Sequence, residues 1–304
     1  MNHRHMLAHL IVLLAVALIP ALAQASPPAL ETARPATAAS APEVEAGFRL
    51  LYDLKFSQAR EQFEAWQRKY PDDPQGEISI AASYLFEELY RQGVLSADFF
   101  LNDKRFLQGI EGEPDEKRTV SFKDANRRAR ELAQQRLEGN AHDPGALYAL
   151  TLAAGMEADY SGILEKRQLD SLRSLKQAER YAKELLAVEP SAQDAWLAVG
   201  AADYIVGSLP VHKRLFLQLG GIHGDKKRGL DELQQTAANG HYLRPLAKIL
   251  LALACLREKQ DGTARLLLSE LRAEFPNNPL IAYELARLQG AGGNSGGGAL
   301  TPGN

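Results

Sequence analysis

The sequence predicts an all-α solenoid of stacked helical hairpins, and three observations predict it. No run of alternating apolar residues bounded by hairpin turns occurs between residues 43 and 289, so strands are not expected. A pattern of about 34 residues recurs, with small residues where two helices touch and large apolar ones beside them. Proline recurs at one offset in four units, Pro74, Pro144, Pro245 and Pro279. Proline suits the first helical turn because that N–H has no intrahelical partner. Asp73, Asp143 and Asn278 stand directly before three of these prolines as N-cap residues.

The units follow in order. In the first, counted from residue 40, Gly47 stands at position 8, Ala59 at 20, Phe63 at 24 and Pro71 at 32. The unit from Pro245 places Leu251, Ala252, Cys255, Ala264, Leu268, Leu271 and Pro276 at 7, 8, 11, 20, 24, 27 and 32. A second helix over Ser171–Val188 carries Ala178, Ala182 and Leu185, and the unit from Gln193 carries Trp196, Val199 and Gly200. Gly200 is expected at the close contact of its two helices, where leucine would overpack and alanine would be tolerated. These residues resemble the tetratricopeptide repeat (TPR), which implies a TPR-like α-solenoid. Three units are too long, and the surplus falls between their two helices, near residues 93–120, 157–170 and 206–224. These three lengthened intra-repeat connections are expected side by side, as a crest along one edge. The stretch Tyr204-Ile205-Val206-Gly207-Ser208-Leu209-Pro210, with Gly221, Gly224-Asp225 and Gly229-Leu230, is similar to long-insert TPR units of the inclusion-body clearance family. That likeness bears on architecture alone. Asp143 to Arg287 also resembles TPR proteins exported by bacteria.

Export is expected from the beginning of the chain. Residues 1–25 read as a signal peptide: Arg4 in a polar start, an apolar run from Leu10 to Ile19 too short to span a bilayer, then Pro20 and a small-residue cleavage site ending at Ala25. Residues 26–42, rich in Ala, Pro, Ser and Thr, read as a disordered linker, and 290–304 as a disordered Gly-rich tail. The repeat domain spans 43–289, and the expected location is periplasmic or extracellular. Without the signal, 34 basic residues face 38 acidic ones. That balance argues against a nucleic-acid partner, which requires a basic surface. A lone Cys255 among leucines predicts a core thiol.

Chemistry is sparse. There is no H-E-x-x-H pair, no G-x-S-x-G elbow, and the glycines at 220–224 are followed by Asp225, an expected N-cap that would repel phosphate. No cofactor or metal is expected. Glu157, Asp159 and Glu165 could be read as the acids of a hydrolase, but mixed charge around them fits a surface better. The expected function is a non-catalytic scaffold for a protein, peptide or polymer of the cell envelope, with a hydrolase or a membrane-surface protein as the alternatives. The first helix of each unit should line the concave groove with Tyr148, Leu152, Asp194, Leu197 and Tyr204, beside Glu157, Asp159 and Tyr160. Apolar groove residues imply a partner, or insertions folded over the groove. The amphipathic segment 209–222 could contact a membrane or pack on its own solenoid, and Phe99, Phe100 and Phe106 invite the same two readings.

Overall fold

A computed structural model describes residues 41–102, 105, 108–219 and 222–293. The expected signal peptide, residues 26–40 of the linker, residues 294–304 of the tail and Phe106 lie outside the described residues. The described residues are helical throughout. Five hairpins follow one another: α1 (Pro42–Tyr52) with α2 (Phe56–Lys69), α3 (Pro74–Arg91) with α5 (Glu116–Gly139), and α6 (Pro144–Asp159) with α7 (Gln168–Val188). Then come α8 (Trp196–Gly207) with α10 (Lys226–Asn239), and α11 (Arg244–Arg257) with α12 (Asp261–Glu274). Two insertion helices, α4 (Ala97–Leu101) and α9 (Val211–Leu219), lie within the second and fourth hairpins, and α13 (Pro279–Gly293) follows the fifth. Residues 290–293, expected in the tail, thus continue a helix.

The local signals act as expected. Asp73 accepts from the Gln75 N–H, Asp143 from Ala146, Asp225 from Arg228, and Asn278 from Leu280 and Ile281. Each satisfies amides that a helix start leaves unpaired. Small residues set the hairpin spacing: Ala59, Ala182 and Ala264 are fully enclosed, and the Phe63 ring fills the space beside Gly47. Cys255 is buried, which pushes its thiol pKa up. Its expected core role therefore agrees with its environment.

The short hairpins turn through three residues, Asp53-Leu54-Lys55 and Glu258-Lys259-Gln260, with the middle residue left-handed in both. The third hairpin uses the same device at Glu165-Lys166-Arg167. Its surplus is therefore an extension of both helices, α6 being prolonged by a π-helical turn at Tyr160–Leu164. The first insertion meets it there: the Ile110 N–H donates to the Ile163 carbonyl at 3.3 Å, and Gly109 lies against the same group. The first two insertions thus adjoin as expected. However, α4 also leaves the crest and reaches α11, and the Ala97 N–H donates to Glu284 of α13 at 2.9 Å.

The solenoid closes on itself. Phe48 of α1 stacks on Tyr242 before α11, with ring centroids 4.9 Å apart. The Tyr52 hydroxyl donates to the Tyr242 carbonyl at 2.9 Å, and Asn278 donates to the Tyr52 carbonyl at 2.6 Å. The main core accordingly runs from α1 through α6 to Tyr242 and Leu243. A cleft of about 230 Å³ along this seam is lined by Glu45, Arg49, His241, Arg244 and Glu274 among others.

The helices α8 and α10 approach backbone to backbone. A Cβ at Gly200 would fall 2.8 Å from the Leu233 amide nitrogen and 2.9 Å from the Gly229 carbonyl oxygen, and one at Gly229 would fall 2.4 Å from the Tyr204 nitrogen. The expected tolerance of alanine at 200 is therefore corrected, since backbone rather than a yielding side chain occupies the space. Overpacking of about 1–3 kcal/mol outweighs the roughly 1 kcal/mol helix-propensity gain of alanine over glycine. Gly200→Ala should lower the urea midpoint and Gly200→Leu should lower it further; an unchanged or raised midpoint for Gly200→Ala would contradict this packing.

Candidate partner-binding surface

The expected groove residues separate into three groups. Asp194, Tyr148, Leu197 and Tyr160 serve the fold itself. Asp194 is 7% exposed, in a short 3₁₀ turn before α8. Its carboxylate accepts the backbone N–H groups of His241 (2.7 Å), Tyr242 (2.9 Å) and Leu243 (3.2 Å), and the Tyr148 hydroxyl lies 3.3 Å away. Burial pushes its carboxyl pKa up, and the three N–H groups oppose that rise. Burial, then the charge of Asp194, raises the Tyr148 phenol well above its ordinary range, so it remains a donor. Leu197 packs between the main core and the α10–α11 core. Tyr160, expected to face a partner, is instead buried, with its ring stacked 5.0 Å from Phe122 and Lys123 on its face.

The acids do not gather. Glu157 and Asp159 are two residues apart on one helix and so point to opposite sides of it. Glu165 is held by Lys123 and Arg167, each at 2.9 Å. Glu157 and Asp159 therefore do not converge as an acid–base pair requires; the carboxylates that do meet are Asp203 and Glu232, beside Arg228, where burial and the charge of Asp203 raise the Glu232 carboxyl to about 7. Among the described residues there is no group of three or more His, Cys, Asp or Glu able to hold a metal ion.

Tyr204 is half-buried against Leu233, Ala237, Ala247 and Leu251, and burial raises its phenol. Its body therefore supports the fold, and its removal tests packing before it tests binding.

What stays open is the inner face of α6 beyond Tyr148. Leu152, Gly155 and Asp159 follow along one side of the helix at the spacing that aligns them. Leu152 is partly buried, a Cβ at Gly155 would meet nothing within 4 Å, and Asp159 is exposed to water. Protein nevertheless surrounds Asp159 on most sides, which raises its carboxyl pKa from 3.8 to about 7. Asp159 has no hydrogen bond or ion pair with a described residue.

A second open feature lies on α9. Val211, Leu215 and Leu219, one turn apart, are 70%, 59% and 82% exposed, while Leu217 on the opposite side is 4% exposed and anchors the helix. Of the two readings of 209–222, burial of Leu217 fits an insertion packed on its own protein, and the opposite side is left in water. Phe99 of the first insertion is buried and Phe100 packs against the same core.

These features define a closed TPR-like α-solenoid with two open surfaces. A solved structure of a thermophilic TPR protein from Thermus thermophilus is similar to this chain, at 14% identity and a TM-score of 0.43, covering 82% of this chain and 97% of that one. No protein-family profile matches the chain. No curated protein matches it either.

Asp159 generates a pH-dependent prediction. The unfolded chain titrates Asp159 near 3.8 and the folded chain near 7. The folded state therefore holds the extra proton, and stability falls as pH rises through that window. Asp159→Asn removes this loss. Its urea midpoint relative to wild type should climb from about pH 4 to about pH 7 and then level off. A difference independent of pH would show that Asp159 is ordinarily solvated.

Proposed function

We propose that the protein is a non-catalytic, exported TPR-type scaffold that binds a protein or peptide partner in the cell envelope. The observation that carries this reading is the open stretch Leu152–Gly155–Asp159 on an inner face otherwise filled by the chain's own side chains. Solenoids of stacked helix pairs bind partners along such inner surfaces. An apolar wall ending in an unpaired carboxylate suits an extended segment that presents one basic side chain beside apolar ones. Export is supported by the apolar run Leu10–Ile19 and the small residues after it.

Asp159→Lys tests the reading. The residue is exposed, so the variant should keep the helical circular dichroism of wild type. Affinity purification from envelope extract should recover a specific partner with wild type, and the variant should hold it at least about tenfold more weakly, because a buried like charge opposes the partner's basic group. Equal retention by both forms would remove the inner face as the binding surface.

A further inference from the structure

We propose that Asp203 and Glu232 share one proton beside Arg228 and so form a pH-sensitive clamp between α8 and α10, which closes the neck of the 206–224 insertion in acid and loosens it as the proton leaves. The inference does not rest on the inner-face site.

The clamp spans the helix pair that meets backbone to backbone. Arg228 of α10 takes Asp203 of α8 with two hydrogen bonds, from Nε to Oδ2 at 2.6 Å and from Nη2 to Oδ1 at 2.9 Å. Glu232, one turn further along α10, brings Oε1 to 3.7 Å from the same Nε and stands within hydrogen-bonding reach of Asp203. Asp203 is 1% exposed. The Glu232 Oε2 atom is enclosed and has no hydrogen-bond donor among the described residues. Two ionised carboxylates offer each other only acceptors, so a hydrogen bond between them requires a proton on one. Without it, two negative charges largely removed from water would face one guanidinium.

The other cations around the pair are committed elsewhere. Lys183 of α7 acts on both carboxyls, but it is held by Glu179 at 2.6 Å. On α10, Lys226 is bound to Glu258 and Lys227 to Asp231, while Asp225 adds a further negative charge near Arg228. On α11, Arg244 and Lys248 pair with Glu274 and Glu270 of α12, and Arg257 acts on Tyr204. Burial, then the charge of Asp203, accordingly raises the Glu232 carboxyl to about 7. Burial opposes ionisation of Asp203 too, yet Arg228 holds it below the usual carboxylate range.

The clamp lies where it can act on the insertion. Asp203 stands four residues before Gly207, at which the chain leaves α8, and Arg228 follows Asp225, at which it returns. A Cβ at Gly207 would collide with the Lys226 nitrogen, and one at Gly224 would fall 2.8 Å from the Gly207 nitrogen. The neck therefore has no slack to absorb repulsion between the two helices. The unfolded chain titrates Glu232 near 4.5 and the folded chain near 7, so the folded state holds the extra proton. The contribution of the clamp is complete below the unfolded value and is lost as pH rises through the folded one.

Amide exchange of the full chain tests this, read on fragments covering 200–207 and 226–233 and corrected for the intrinsic pH dependence of exchange. Between about pH 5 and about pH 8, protection of these fragments should fall at least about fivefold more than that of α2. Glu232→Gln keeps the shape of the protonated side chain and cannot ionise, so its two fragments should lose no more protection than α2. Asp159 titrates in both proteins and cancels from the comparison. Carbon NMR of the Glu232 carboxyl should place its midpoint near 7 in the wild type, and Asp203→Asn should move it down. A midpoint near 4.5 in the wild type would overturn the shared proton. An equal extra loss of protection in Glu232→Gln, or a loss in α2 as large as that at the neck, would overturn the clamp.

Discussion

The Asp194 carboxylate is the contact on which the rest of the architecture depends. It stands at the entrance to α8 and takes three successive amides from the turn that starts α11, with the Tyr148 hydroxyl of α6 beside it. One side chain thus joins the third, fourth and fifth hairpins. The amides of Tyr242 and Leu243 are buried away from water and that of His241 partly so, and an unpaired buried donor costs about 1–3 kcal/mol. The turn so fixed presents Tyr242 to Phe48 and Tyr52 of the first hairpin. Closure of the solenoid therefore follows from the clasp.

Closure has a consequence for function. An open solenoid exposes its whole inner face, and here most of that face is taken up by tyrosines, leucines and the clasp. What remains is a short open stretch ending at Asp159 and the exposed side of α9, opposite the buried Leu217. A partner reaching that stretch meets a carboxylate whose pKa burial raises.

Much of the fold was legible because its signals are local. Asp73-Pro74 and Asp143-Pro144 mark helix starts by satisfying amides one turn away, and Gly47 and Ala264 mark helix contacts by lacking bulk. The insertions were placed by counting residues, although counting could not show that the third hairpin spends its surplus on longer helices and a π-helical turn. The candidate site was less legible. Helix position put Asp194 on the inner face, whereas Asp159 was expected in the second insertion beside the opening, and it is exposed on the prolonged α6. Asp194 was consumed by amides 47 to 49 residues further along the chain, a pairing set by the curvature of the whole stack. Tyr160 was lost to the site for a similar reason, because the Phe122 ring against which it stacks arrives from the preceding hairpin. The exposure of Val211, Leu215 and Leu219 had a sequence signal in their spacing, but only the burial of Leu217 decided which side faced inward.

Amide hydrogen exchange at His241, Tyr242 and Leu243 tests the clasp most directly. In an open solenoid these residues would belong to a surface turn between hairpins and would exchange within the fast, unprotected range. If the carboxylate of Asp194 holds them and the first hairpin covers them, all three should be protected to the level of the α6 core, and Asp194→Ala should release them together with amides of α1. Fast exchange at the three positions in the wild-type protein would contradict the closed ring.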